Sequence, residues 1–205
     1  MRSAALAWMR GLRHIGPMLE LAASGSGRDF RIRTDVTRAE LVQLYGLAKR
    51  LQGGVAVEIG SYLGASSCFL AAGCRRSGAH LSCVDTWVND AMTEGPRDTY
   101  SAFLANTHRY RSTITAMRQP SLEAAAHFRD RIDLLFVDGD HSKEGVYGDL
   151  HAWLPHVSSG GWVALHDSGW AEGVQSAIRE IVEPIRLGPA TTLPNLYCAR
   201  VDPRQ

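Results

Sequence analysis

Two short clusters carry the carboxylates and imidazoles that could do chemistry: Asp138-Gly139-Asp140-His141 and His166-Asp167-Ser168. Each follows an apolar run, IDLLFV over 132–137 and WVAL over 162–165, so each reads as the end of a buried strand. Neighbouring strands would bring the clusters face to face. Carboxylates held that close repel unless something positive sits among them. Three candidates suit: a divalent cation, a positively charged ligand or a protonated histidine. Oxygen donors with open positions fit magnesium, which keeps waters and accepts substrate oxygens. His141 can act as a base without a shifted pKa; the alternatives are that it caps the next helix or hydrogen-bonds Asp167.

A third acidic strand end opens the run VAVEIGSYLGASS, Val55 to Ser67. Val55, Val57 and Ile59 are apolar and Glu58 sits where the strand should end. Gly60 and Gly64 let the backbone turn tightly and approach a ligand. Ser66 and Ser67 are candidates to cap the helix that follows. Asp85, at the end of LSCVD, comes 21 residues after Gly64, a distance suited to one strand-helix-strand unit with the acid accepting from ribose hydroxyls. The loop lacks the middle glycine of the dinucleotide pattern, and Glu58 would oppose a pyrophosphate. An acidic lip suits a cationic nucleoside with an amino acid head group and no phosphate, which describes S-adenosylmethionine.

The positioning elements alternate. Thr37-x-x-Glu40 is a capping box that opens a helix with Leu41, Leu44, Tyr45, Ala48 and Leu51 on one face. Strands are expected at 55–59, 80–85, 113–118, 132–137 and 162–166, with a last one in NLYCARV. Helices are expected near 63–76, 99–110, 121–128, 142–156 and 171–183. This order predicts a parallel sheet with helices on both faces. Ligands then bind outside the carboxyl ends of the strands, so Glu58, Asp85, Asp138 and Asp167 should share one rim. Residues 1–36 read as a helical arm, with Trp8, Leu12, Ile15 and Leu19 at helical spacing and a hinge at Ser24–Gly27. The arm would pack on the body, join a second copy as a homodimer, or close over the site. Residues 37–205 read as the catalytic domain. The segment 86–110 is long for a connection and reads as a binding loop.

The chain has 205 residues, 45% hydrophobic and 21% charged, with net charge +1. That balance argues against broad nucleic-acid or anionic-membrane binding, and no segment is long enough to span a bilayer. Four cysteines without a CxxC pair argue for reduced thiols in a cytoplasm and against a zinc site.

With these residues in place the chain resembles the class I S-adenosylmethionine-dependent methyltransferases, in ExGxxxGxS followed by an acidic strand end. VDTW and FVDGDHSKEGVYGDLHAWLPHVSSGGWVALHD are similar to the small branch near macrocin-type, cephamycin-pathway and catechol O-methyltransferases. The resemblance covers roughly 40–170. It implies a Rossmann-like, doubly wound, mostly parallel seven-stranded α/β sheet. It also implies methyl transfer to a hydroxyl of a small-molecule acceptor, a sugar or secondary metabolite. By position, Glu58, Gly60, Ser61, Gly64 and Ser66 would hold the methionine end, Asp85 the ribose, and Thr86, Trp87 and Ser121 the adenine. Asp138 would border cofactor and acceptor. Asp138, Asp167 and Ser168 would hold magnesium, and His141 would be the base. The chain departs where relatives have lysine (His141), asparagine (Ser168) and an acidic residue (His166). A catalytically silent cofactor-binding module is the alternative reading.

Overall fold

The computed structural model describes residues 16–21, 23, 25–89 and 95–204. Seven strands form one sheet in the order β3-β2-β1-β4-β5-β7-β6. They are β1 Val55–Ile59, β2 His80–Asp85, β3 Ile114–Arg118, β4 Ile132–Val137, β5 Val157–Leu165, β6 Arg186–Thr192 and β7 Tyr197–Val201. β1 to β5 run parallel, and β7 is antiparallel to both its neighbours. The helices are α1 Arg38–Lys49, α2 Ala65–Ser77, α3 Tyr100–Thr107, α4 Ser121–His127, α5 Lys143–Trp153 and α6 Glu172–Ala177, the last continuing as a π turn over Ile178–Val182.

Both faces of the sheet are buried, which is why the central strands read as nearly continuous apolar runs. Leu134 and Phe136 face the layer of α1, α2 and α3, together with Ala56 and Cys83. Leu135 and Val137 face α4, α5 and α6, together with Val57 and Ile59. The strand order reverses between β1 and β4, and the crevice at the carboxyl ends there is the expected ligand position. Bonds beyond the strand ends hold this rim in register. Gly60 N donates to Val84 O at 2.9 Å, Asp138 N to Ile59 O at 2.8 Å and His166 N to Val137 O at 3.0 Å.

Two strand expectations needed revision. β5 starts at Val157, not 162, through an irregular pairing between Ile132 and Leu134, and it carries Gly160 at φ +77°. β6 was not located from sequence because Gly188 and Pro189 interrupt it. It pairs with β7 alone, and a proline that cannot donate is tolerated on an edge strand.

At the N-terminal side, Trp8, Leu12 and Ile15 lie outside the described residues, and Leu19 is exposed. Ser26, read as part of a hinge, is instead buried in a 3-10 turn over Ser26–Arg31. Its hydroxyl lies 3.0 Å from Tyr110 Oη, which also donates to Asp29 at 2.7 Å. Among the described residues no helix is long and apolar enough to cross a membrane.

Candidate active site

The glycine loop is shaped by its neighbours as much as by its glycines. Gly60 has φ +82°, and a Cβ there would stand 2.1 Å from the Asp138 carbonyl oxygen. Only glycine lets the β1 and β4 ends meet so closely. Asp85 then fixes the loop. Its Oδ2 accepts from Ser61 N and Tyr62 N, both at 2.8 Å, and its Oδ1 from Trp87 N at 2.6 Å. Gly64, in the left-handed region, is the N-cap of α2 with no side-chain cap. The serines expected to cap this helix do not: the Ser67 hydroxyl bonds Glu58. The uncapped amide end of α2 therefore faces the crevice through Ala65 and Ser66, a position that favours an anionic group.

Glu58 braces this loop from beneath. It is fully buried, and its Oε2 accepts from Ser61 Oγ at 2.8 Å, Ser67 Oγ and Cys83 Sγ at 3.3 Å. Its Oε1 has no partner among the described residues. Burial pushes its pKa up to about 7. Strand parity explains the placement: Glu58 shares the Ala56 face of β1, toward α2, not the face of Val57 and Ile59.

On the other side of the switch point, Asp138, His166 and Asp167 bring one ligand atom each within 4.8 Å of one another. His166 Nδ1 lies 2.9 Å from Asp138 Oδ1 and 3.2 Å from Asp167 Oδ1. The far ring nitrogen, Nε2, faces Glu40 Oε2 at 3.7 Å, beyond hydrogen-bond reach. Glu40 is the capping-box glutamate of α1. It accepts from Thr37 N at 2.8 Å and Thr37 Oγ1 at 2.7 Å, and its other oxygen accepts from Asn195 N at 2.9 Å. Burial works against charge here, but the three carboxylates overcome it and hold the His166 pKa up to about 12. Burial likewise opposes the Glu40 anion, yet the facing His166 ring and the bonds from Thr37 and Asn195 hold its pKa down to about 2. Burial raises Asp138 despite its bond to His166. At Asp167 burial is the largest influence, but the bond and charge of His166 and the bond from Trp170 together outweigh it and lower the pKa. The His166 ring bridges the two aspartates. Two carboxylates and an imidazole are a donor set that also fits a divalent cation.

These halves share one cleft of about 590 Å³, within the range of small-molecule sites. Gly60, Ser61, Ser66, Asp85, Thr86, Ser121, Asp138, His141 and Asp167 line it. Glu58, Gly64, Trp87 and Ser168 do not. Trp87 is fully buried against Tyr100 and Phe103, its Nε1 donating to Tyr62 O at 3.0 Å. It supports the loop from the core, whereas the resemblance had it bordering adenine. Ser168, expected as a metal ligand, does not line the cleft, whereas His166 stands with the two aspartates. The chain turns at Asp167, φ +57°, and Ser168 N bonds Asn195 O at 3.3 Å.

His141 is exposed and packs edge-on to Trp170, ring centroids 4.8 Å apart. Neither scaffold role holds for it: Ser142 caps α5, and Asp167 Oδ1 accepts instead from Trp170 Nε1 at 2.9 Å and faces His166. Among the wall residues not singled out from the sequence are Trp170, Asn89 and Asp149, of which Asn89 lies in the segment 86–110 read as a binding loop. Trp170, more than half exposed, stands at the mouth. Asn89 and Asp149 line the cleft further in. Asp149, buried, accepts from Ser121 Oγ at 2.5 Å, and burial pushes its pKa up to about 6. Its place on the inner face of α5 was the one signal available.

A family model described as a methyltransferase domain matches residues 57–168, from mid-β1 to just past Asp167. The chain belongs to this methyltransferase family. The matched span holds the glycine loop, Asp85, Asp138, His141, His166 and Asp167; Glu40 lies outside it. The methyltransferase fold is shared with solved structures at low identity. An SAH-bound Podospora anserina methyltransferase, PaMTH1, is 15% identical, with 81% of this chain and 79% of that one covered and a TM-score of 0.64. The Bacillus cereus O-methyltransferase in complex with SAH is 15% identical over 91% of each chain, TM-score 0.63. The Streptomyces achromogenes O-methyltransferase TomG, in complex with SAM, is 16% identical over 87% and 88%, TM-score 0.61. An uncharacterised protein of Acanthamoeba polyphaga mimivirus is 35% identical over 60 residues, 28% of this chain and 27% of that protein, so the match spans about a quarter of that relative.

Proposed function

We propose that this methyltransferase moves a methyl group from S-adenosylmethionine to a hydroxyl of a small molecule, a sugar or secondary metabolite, with a divalent cation at the acceptor. One observation carries the reading: a single cleft joins the Asp85-braced glycine loop to the Asp138–His166–Asp167 group, with His141 and Trp170 at its mouth. The amide end of α2 would take the cofactor carboxylate, and the acidic rim its positive charges. Asp85 keeps acceptor capacity for ribose hydroxyls after its three backbone bonds. S-adenosylmethionine, when bound, supplies a sulfonium methyl whose carbon–sulfur bond breaks, both electrons going to sulfur, as the oxygen–carbon bond forms. Asp138, His166 and Asp167 would hold the cation, which lowers the pKa of an acceptor hydroxyl. His141 takes the hydroxyl proton onto its ring. Alignment of the two ligands in the cleft supplies most of the rate.

Titration calorimetry with S-adenosylhomocysteine tests the cofactor: the expected result is one site per chain, and no binding ends the proposal. His141→Ala should then abolish transfer to a hydroxyl acceptor while that binding is retained. A silent cofactor-binding module is the second reading. It is favoured by the His141 ring, which no hydrogen bond orients among the described residues. It predicts binding without transfer to any acceptor.

A further inference from the structure

We propose that the Asp138–His166–Asp167 group is a mixed nitrogen–oxygen cation centre, in which His166 Nδ1 is the third ligand and Glu40 positions that ring from behind, so that the site selects a late first-row divalent ion over magnesium. The inference rests on the functional reading above and adds the ligand set, the identity class of the ion and a positioning residue outside the family-matched span.

Geometry comes first. Nδ1 lies 2.9 and 3.2 Å from the two aspartate oxygens. Neighbouring ligands around an ion with bonds of about 2.1 Å stand about 3 Å apart, so Nδ1 already has the spacing of a neighbouring ligand from each aspartate oxygen, and all three atoms lie within 4.8 Å of one another. A single ring nitrogen thus faces two carboxylates at once.

The second observation is independent of the aspartates. His166 is only 4% exposed, and its Nε2 has no hydrogen-bond partner among the described residues. That nitrogen faces the wholly buried Glu40 carboxylate at 3.7 Å. Glu40 is itself tied to Thr37 and to Asn195. A ring with one nitrogen toward a ligand cluster and the other toward an anchored carboxylate is the arrangement that fixes tautomer and orientation at metal-bound histidines. A proton on Nε2, directed at Glu40, leaves the Nδ1 lone pair for the ion. Small closing motions would bring Nε2 within hydrogen-bond distance.

Donor chemistry then decides the ion. Magnesium favours oxygen ligands and waters, whereas imidazole suits zinc, nickel and copper, with cobalt between iron and nickel in the affinity order. Exchanging one oxygen donor for an imidazole therefore costs magnesium more than it costs cobalt or zinc.

Full-length protein stripped with chelator is titrated with Co2+ alone and with Mg2+ alone, with S-adenosylhomocysteine binding measured on the same preparations. The expected result is one Co2+ per chain, bound at least tenfold tighter than Mg2+. His166→Asp should cut that preference at least tenfold, and Glu40→Gln should weaken Co2+ by 10- to 100-fold, the usual effect of losing such a partner. In the wild-type Co2+ form, proton NMR should show a hyperfine-shifted imidazole N–H that disappears in D2O; this readout needs no variant. Equal or tighter Mg2+ binding, no metal binding, or the absence of the shifted N–H overturns the inference. If S-adenosylhomocysteine still binds in that event, the functional reading survives alone; if it does not bind, that reading falls on its own measurement.

Discussion

Glu58→Gln separates a buried brace from a cofactor ligand. Glu58 Oε2 collects three donors while Oε1 has none among the described residues. A glutamine oxygen can keep those three bonds, and its NH2 then occupies the unpaired position at a cost that does not vary with pH. The carboxyl itself titrates. Burial raises its folded pKa from 4.5 to about 7, so the native state binds the proton more tightly than the unfolded chain. Its contribution to stability is therefore fully present below pH 4.5 and is lost as pH rises toward 7. At 1.36 kcal/mol per unit, the loss above pH 7 is about 3 kcal/mol, of which about 2.5 kcal/mol develops between pH 5 and 8. Urea unfolding of wild type and Glu58→Gln at pH 5, 6, 7 and 8 isolates this group, because every other titration is common to both. The stability difference should move in favour of the glutamine variant by about 2.5 kcal/mol across that range. S-adenosylhomocysteine affinity at pH 8 should change by less than about tenfold. A pH-independent stability difference would refute the raised pKa, and a loss of affinity beyond about a hundredfold with unchanged stability would make Glu58 a ligand after all.

Gly60→Ala combines a left-handed φ, worth about 1–2 kcal/mol, with a Cβ placed 2.1 Å from Asp138 O. It should lower the melting temperature by at least about 5 °C and abolish S-adenosylhomocysteine binding by calorimetry. Asp85→Asn turns one oxygen into a donor facing a backbone N–H, so unfolding should cost about 1–3 kcal/mol less and cofactor affinity should drop at least about tenfold. Trp170→Ala removes an exposed ring at the mouth. Melting should shift by less than about 2 °C and cofactor affinity should hold, while KM for the acceptor rises about tenfold.

What the sequence displayed were features set by local pattern. The β1–loop–α2 unit, the acids at the ends of β1, β2, β4 and β5, and the α1 capping box all come from residues within a few positions of one another. The direction in which a rim acid points did not come through. A strand buried on both faces carries no polar alternation, so the parity that turns Glu58 beneath the loop is invisible until the sheet is built. Trp87 was read from its position after β2, yet its partners are Tyr62, Tyr100 and Phe103. Glu40 and His166 are 126 positions apart, and the capping box that reveals Glu40 as a helix start conceals that its side chain also faces the His166 ring. Read alone, His166 was the weakest of the candidate ligands. Ser168 seemed stronger because position in the motif, without the turn at Asp167, was the only guide.

Among the described residues the non-glycine positions with left-handed φ are Tyr62, Trp87, Asn89 and Asp167, and all four belong to the loops that surround the cleft. Such conformations cost about 1–3 kcal/mol each and persist where surrounding bonds over-determine them. Here those bonds are visible. Asp85 accepts from the amides of Tyr62 and Trp87, the Trp87 ring donates back to Tyr62 O, Asn89 Nδ2 donates to Gly95 O at 2.7 Å, and Asp167 O accepts from Ala171 N at 2.9 Å. One carboxylate thus holds two of the four strained residues and is also the acid assigned to the ribose. A ligand hydroxyl donating to Asp85 would draw on lone pairs that the backbone amides leave free, so binding and loop shape reinforce each other through one side chain. The same economy recurs across the cleft, where Glu40 both starts α1 and backs His166. The rim is held by groups with two duties each, and a substitution at either carboxylate should couple stability to ligand affinity.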